Sequence, residues 1–289
     1  MDFIRDLNAF EIYQNASYKE LVSDYRYKYA LSFEEVPDPK GLTVEIFQKH
    51  WYHSITISVV YFVIIKAIQK AMENRKPFGL KVPLALWNGM LAIFSIAGFL
   101  RFSEDFAESL INRSLYESVC YSCHPNDVAA YWSLLFAISK IVELGDTLFI
   151  VLRKRPLIFL HYYHHAAVLI YTVHSGAEHT AAGRAFISMN FFAHSVMYSY
   201  YTVCALGFRL PKWVSMTVTT IQTAQMLAGV GVSLAVYRIK TEYGWPCQQS
   251  MANLYLSFTI YITFAVLFIQ FFYKSYIGKK KESKKGKKE

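Results

Sequence analysis

The chain has 289 residues, of which 54% are hydrophobic, 17% aromatic and 18% charged, with a formal net charge of +9. A soluble domain carries about 25% charged residues, and here the apolar residues run in stretches of membrane-spanning length, which excludes an ordinary soluble globular protein. The positive charge gathers in the C-terminal "GKKKESKKGKKE", the pattern of a cytoplasmic flank held by anionic lipid rather than of a nucleic-acid-binding domain.

The N-terminal "MDFIRDLNAFEIY" is acidic and has no apolar core segment, so no cleavable signal peptide is expected. Seven spans follow, at 53–70, 82–100, 129–151, 157–174, 184–206, 213–236 and 252–273. The clearest is "VPLALWNGMLAIFSIAGFL" (82–100), nineteen residues without a charge, enough to cross a hydrocarbon layer of roughly 30 Å. All should be helical, because a lipid-exposed backbone must satisfy its own hydrogen bonds. The expected fold is an all-α integral membrane protein: one seven-helix domain over 1–289, with a substrate tunnel inside the bundle and a disordered basic tail from about residue 277.

The loops alternate in character. Those at 69–81, 153–156 and 208–212 are basic, as is the tail, whereas 102–127 is mostly acidic. The positive-inside bias then places the C-terminus in the cytoplasm and the N-terminus in the lumen, with Arg238 and Lys240 as exceptions. Two sequons, at Asn15 and Asn112, fall on the lumenal side as candidate glycosylation sites. So do Cys120, Cys123 and Cys247, where disulfides form. Cys247 paired with Cys120 or Cys123 would staple two lumenal loops, and Cys120 is favoured. Lys287 and Lys285, third and fifth from the end, have the spacing read by machinery that returns membrane proteins to the endoplasmic reticulum.

Ionisable residues inside a span cost on the order of 2.5–3.5 kcal/mol each, so they mark function by default. The third span holds "KIVELGDT", which places Lys140, Glu143, Asp146 and Thr147 on roughly one third of a continuous helix surface. The fourth holds "HYYHH", with His161, His164 and His165 on an arc of about 100°. Asn190, His194, Met197 and Tyr201 form a narrow stripe on the fifth, with Tyr198 beside it. Thr219, Gln222 and Gln225 share a face of the sixth, either as interhelical glue or as a site lining. The third span's set also fits a structural ion-pair cluster, and the tyrosines fit ordinary packing. Four polar stripes on four helices imply a shared interior cavity. Arg153, Lys154 and Arg155, with Lys212, stand at its cytoplasmic mouth, where a phosphate-bearing head group would dock.

HxxHH also occurs in metal-dependent membrane fatty-acyl desaturases and hydroxylases. Those sites gather about eight histidine ligands, and only His161, His164, His165 and His194 can meet in this cavity. That is too few for two irons; one zinc on three histidines stays open. A proton-coupled transporter is the reading from a different class.

Four motifs in this order, "KIVELGDT", "HYYHH", "NFFAHSVMYSYY" and "TTIQTAQ", match KxxExxDT, HxxHH, NxxxHxxMYxYY and TxxQxxQ in full. The sequence resembles the very-long-chain fatty acid elongases, membrane 3-ketoacyl-CoA synthases of the endoplasmic reticulum, over essentially its whole length. The text around "ELGDT" and "LIFLHYYHH" is most similar to the branch acting on saturated and monounsaturated acyl-CoAs.

The resemblance implies a metal-free decarboxylative condensation of a long-chain acyl-CoA with malonyl-CoA, with no cofactor held by this chain. It assigns the acyl group to His164, and His194 to orienting it or moving a proton. His161 and His165 position the group. Lys140, Asn190, Gln222 and Gln225 are candidates for carbonyl or enolate contacts, and Glu143 and Asp146 hold Lys140 and the histidines. Tyr198, Tyr201, Gln222, Gln225, Arg153, Lys154, Arg155 and Lys212 are the candidate substrate contacts. No cysteine is expected in the cavity, since Cys204 lies near the far end of its span. Phe191, Phe192 and aromatics of the last span are candidates to close the tunnel. A ketoacyl reductase, a dehydratase and an enoyl reductase, which would use the NADPH, are the implied partners, with a homodimer as a further option and no nucleic acid.

Overall fold

The computed structural model describes residues 2–278, and the basic tail with Lys285 and Lys287 lies outside the described residues. Apart from one isolated bridge between Val22 and Ser122, the regular structure among the described residues is helical. The long helices are α1 (His53–Met72), α2 (Lys81–Glu108), α3 (Val128–Val142), α4 (Gly145–Leu152), α5 (Phe159–Ala177), α6 (Gly183–Leu206), α7 (Lys212–Thr241) and α8 (Met251–Phe272). Three helical stretches, His53–Met72, Lys81–Arg113 and Met251–Gly278, are long and apolar enough to cross a membrane.

Local chemistry sets the ends. Asp127 caps α3, accepting from Val128 N at 2.7 Å, and Ser250 caps α8, accepting from Asn253 N at 3.1 Å. Gly207 ends α6 in the left-handed region, φ 104°, where a side chain would be strained.

Two expectations need correction. The stretch 102–127 is not a continuous loop: α2 runs to Glu108, and Leu115–Cys120 forms a further short helix. The third span is not one helix either. It breaks at Glu143 and Leu144, where Leu144 N bonds Ile141 O at 3.2 Å and Asp146 N bonds Glu143 O at 3.1 Å in place of the i→i−4 ladder. Gly145 follows, because Trp87 packs against it so closely that a Cβ there would lie 2.7 Å from the indole.

Six helices close a ring in the order α2, α3, α5, α8, α7, α6 and back to α2, each packed on the next. Helix α1 stands outside, against α4 and α5. Two aromatic clusters fill the seams. Phe102, Trp132, Phe136 and Phe191 join α2, α3 and α6, and Tyr171, Phe186, Tyr261 and Phe264 join α5, α6 and α8. Between helices that face lipid, such seams hold by close van der Waals packing. Phe191 fits only because residue 98 is glycine: a Cβ there would be 2.4 Å from the ring.

One end of the ring carries Arg153 and Arg155. The other is pinned by a disulfide between Cys120 and Cys247, leaving Cys123 and Cys204 as free thiols. At this second end the buried Arg184 donates to Asp105 Oδ2 (3.0 Å), Ser109 Oγ (2.8 Å) and the carbonyl of Glu117. The N-terminal segment is tied down there. Gln48 donates to the carbonyls of Ile12 and Ala177, each at 3.1 Å, and Tyr18 donates to Gln248 at 2.6 Å. Lys240, out of place by charge bias, donates to Gln249 O at 2.6 Å and so closes the turn after α7. Asn15 and Asn112 are both exposed at the surface.

Candidate active site

The ring encloses two cavities. The larger, ≈ 460 Å³, opens at the basic end and is lined there by Arg153, Arg155, Tyr201 and Gln222. The smaller, ≈ 170 Å³, runs toward the disulfide end between apolar walls that include Phe47, Val168, Phe186, Tyr261 and Phe264. Both are lined by His164, Asn190, Gln225 and Met226, so they meet at that waist.

Around the waist the polar groups of six helices, α1 to α6, interlock. Lys140, at the end of α3, is only 3% exposed and donates to Glu143 Oε1 at 2.7 Å and to Asn190 Oδ1 at 2.9 Å. Glu143 also faces His194 Nδ1 at 3.6 Å, and Asn190 lies 3.4 Å from His194 Nε2. Because the helix breaks after Glu143, Asp146 turns away from this group. It accepts instead from Trp87 Nε1 at 2.6 Å and from Tyr198 at 2.7 Å. The expectation that Asp146 braces Lys140 is therefore corrected: it braces Tyr198, whose ring stands edge-on to His194 at 5.4 Å. Thr147 forms a third group, between Tyr61 (2.6 Å) and His161 Nε2 (2.8 Å).

The three histidines of α5 thus differ in circumstance. His161 is fixed by Thr147. His165 is buried, with its ring 4.4 Å from that of His161. His164 makes no side-chain hydrogen bond among the described residues; it packs on Phe264, 4.8 Å between centroids, and faces both cavities. An imidazole seated among apolar rings, accessible and uncommitted, is free to act as a nucleophile. No group of three or more His, Cys, Asp or Glu side chains among the described residues is arranged to hold a metal ion.

Of the other candidates, His165, Tyr198, Tyr201, Gln222 and Gln225 line the larger cavity, and Gln222 donates to Met197 Sδ at 2.9 Å. Lys154 does not. It takes a left-handed turn (φ 53°) and donates to the carbonyls of Glu73 (2.9 Å) and Arg75 (3.1 Å), bracing the loop between α1 and α2. Lys212 lies over the Tyr276 ring at 5.7 Å, away from the lining. Cys204 lines the larger cavity and Cys123 the smaller, which corrects the expectation that no cysteine reaches the interior. Neither Phe191 nor Phe192 lines the smaller cavity: Phe191 sits in the aromatic seam and Phe192 turns outward onto Phe99. Trp87 and Tyr61 carry no sequence signal, being aromatics in apolar runs. Nor does the N-terminal segment, whose Val36, Pro39, Leu42, Thr43 and Phe47 close the smaller cavity.

A cationic mouth, imidazoles at the waist and a largely apolar inner cavity together describe a membrane enzyme for a substrate with an anionic head and a long apolar tail. Comparison with known proteins agrees. The chain belongs to the GNS1/SUR4 (ELO) family, whose sequence profile matches residues 46–285. It is 67% identical to putative fatty acid elongase 4 of Caenorhabditis elegans over 286 residues, 99% of this chain and 97% of that one. It is 41% identical over 239 residues to very long chain fatty acid elongase 3 of Homo sapiens, covering 82% and 88%. Very long chain fatty acid elongase 6 of Mus musculus is 39% identical over 243 residues, covering 84% and 91%.

Proposed function

We propose that the chain is the condensing enzyme of fatty acid elongation, joining a long-chain acyl-CoA to malonyl-CoA to give a 3-ketoacyl-CoA two carbons longer, CO2 and CoA. The carrying observation is His164, uncommitted and seated where the basic and apolar cavities meet. Arg153 and Arg155 suit the phosphates of CoA, which guanidinium groups bind in bidentate fashion. The apolar cavity suits the acyl tail. From His164 to Ala177, the last residue of α5, is thirteen steps, about 20 Å at the helical rise. At roughly 1.25 Å per carbon, from a single bond of about 1.5 Å at a tetrahedral angle, that length takes about sixteen carbons. A saturated or monounsaturated chain is the substrate class.

The chemistry is ping-pong. An imidazole nitrogen of His164 attacks the thioester carbonyl, and the carbon–sulfur bond breaks. CoA leaves as a thiolate that takes up the imidazolium proton, and acyl-imidazole remains. Malonyl-CoA enters the same mouth and loses CO2. The resulting enolate carbon attacks the acyl carbonyl, the carbon–nitrogen bond breaks, and the departing imidazolide takes up a proton from water to restore neutral His164. Lys140, held by Glu143 and bonded to Asn190, supplies a donor set for negative charge developing on the carbonyl or enolate oxygen. His194, between Glu143 and Asn190, orients the second reactant, and His161 and His165 position the reacting imidazole.

The single domain is taken to cross the membrane of the endoplasmic reticulum seven times, with α3 and α4 together forming one crossing. Its N-terminus and the disulfide are then lumenal and Arg153 and Arg155 cytoplasmic, supported by the basic loops and the exposed sequons. A ketoacyl reductase, a dehydratase and an enoyl reductase complete the cycle. Malonyl-dependent formation of 3-ketoacyl-CoA by the purified protein in detergent tests the reading. Folded protein that gives no product with any chain length refutes it.

A further inference from the structure

The far end of the smaller cavity, away from His164, is not wholly apolar. The N-terminal segment closes it with Leu42, Thr43 and Phe47, and the turn after α5 adds His179 and Thr180. Thr43 is 4% exposed, and its Oγ1 lies 2.8 Å from His179 Nε2. On the other side of the ring, His179 Nδ1 lies 3.0 Å from Glu20 Oε1. His179 takes the left-handed conformation, φ 51°, at the C-terminal end of α5, where the amides of His179 and Thr180 close onto the carbonyls of Gly176 and Ser175. A simple apolar stopper would have needed none of these three side chains.

Hydrogen-bond capacity defines what this end can take. A carboxylate accepts only, so Glu20 fixes the proton of neutral His179 on Nδ1, and Nε2 then accepts from the Thr43 hydroxyl. The lone pairs of Thr43 Oγ1 are left over. If the ring is instead doubly protonated, Nε2 donates to Thr43, and the hydroxyl proton of Thr43 is left over. In either state one function of a hydroxyl on the cavity wall is unused. A ligand hydroxyl, both donor and acceptor, can meet either one. A terminal methyl meets neither.

We propose that this end of the cavity recognises an oxygenated acyl terminus, so that the chain elongates acyl-CoAs carrying a hydroxyl at or next to the last carbon, with Thr43 as the contact and His179 and Glu20 as its positioning residues. The inference rests on the condensation reading above and adds a terminal hydroxyl to the saturated or monounsaturated chain that reading names.

The test compares kcat/KM for matched pairs, ω-hydroxyacyl-CoA and unsubstituted acyl-CoA, over about fourteen to twenty carbons, with malonyl-CoA as the second substrate. An apolar blind end would penalise the hydroxyl roughly 10-fold or more. A polar end should accept it at least as well as the methyl, and the ratio should peak at one length, where the hydroxyl reaches Thr43. T43V should lower that peak ratio about 10-fold and T43S should keep it. Because each ratio is taken within one preparation, a change in the folded fraction cancels. A hydroxyl penalised at every length, or a ratio unmoved by T43V, overturns the inference while product from the unsubstituted chains leaves the condensation reading standing. Absence of product from both members of every pair refutes that reading and this inference with it.

Discussion

Replacing Lys140 with Met should destabilise the protein severely, and replacing its partner as well should restore much of the loss. Lys140 and Glu143 are each 3% exposed and 2.7 Å apart. At an effective dielectric of about 20 their attraction is about 6 kcal/mol, which roughly offsets a desolvation cost of several kcal/mol per ion. The intact pair therefore adds little net stability. Removing one member leaves the other charge buried without compensation, at about 3–5 kcal/mol. Lys140→Met also strips Asn190 Oδ1 of its donor, and Glu143→Leu strips His194. Thermal unfolding in detergent should show each single variant about 6–15 °C lower. The double variant Lys140→Met/Glu143→Leu should recover most of that while staying inactive, since Asn190 and His194 have lost their bracing. A double variant no more stable than the singles would refute the pairing argument. A Lys140→Met protein of normal stability would refute it more directly.

Three further outcomes follow from the geometry. Gly145→Ala puts a Cβ 2.7 Å from the Trp87 ring; the overpacking should cost about 1–3 kcal/mol, lower activity by dislodging Trp87 from Asp146, and be relieved in part by Trp87→Phe, as melting curves will show. Cys120→Ser or Cys247→Ser opens a link across 127 positions of sequence and should cost about 2–5 kcal/mol, read by melting and by non-reducing gel mobility. The Arg101 guanidinium, with Trp132 and the Leu31 amide, holds the Glu34 carboxyl down from its usual 4.5 to about 2. Its contribution, on the order of 3 kcal/mol, is fully present above about pH 4.5 and fades as pH falls toward 2. Glu34→Gln should flatten that acid limb, and an unchanged limb in a pH series of melts would contradict the assignment.

Much of the candidate site is legible in the sequence because lipid makes polar residues conspicuous. The seven apolar stretches coincide with α1, α2, α3 with α4, and α5 to α8, and three of the four polar stripes face the enclosed cavities. What escaped depends on a break in period. The 100° wheel put Asp146 beside Lys140, but Gly145, packed on Trp87, interrupts the helix and hands Asp146 to Tyr198. Depth along a helix places Cys204 near the end of its span but does not show that its face turns inward, onto the larger cavity. Charge count alone drew Lys154 and Lys212 toward the mouth, although Lys154 is occupied by two carbonyls and Lys212 by an aromatic ring. The closure by the N-terminal segment has no periodic signature and rests wholly on tertiary contacts, such as Gln48 bridging Ile12 and Ala177.

The most direct measurement is the intact mass of the purified protein after incubation with acyl-CoA alone, quenched under conditions that preserve acyl-imidazoles and followed by peptide mapping. The account predicts one acyl group per chain, on His164, with release of an equivalent of CoA, discharged as 3-ketoacyl-CoA when malonyl-CoA is added and absent from His164→Ala. An enzyme that makes 3-ketoacyl-CoA yet never carries the acyl mass, or carries it on Cys204, would contradict the imidazole as nucleophile.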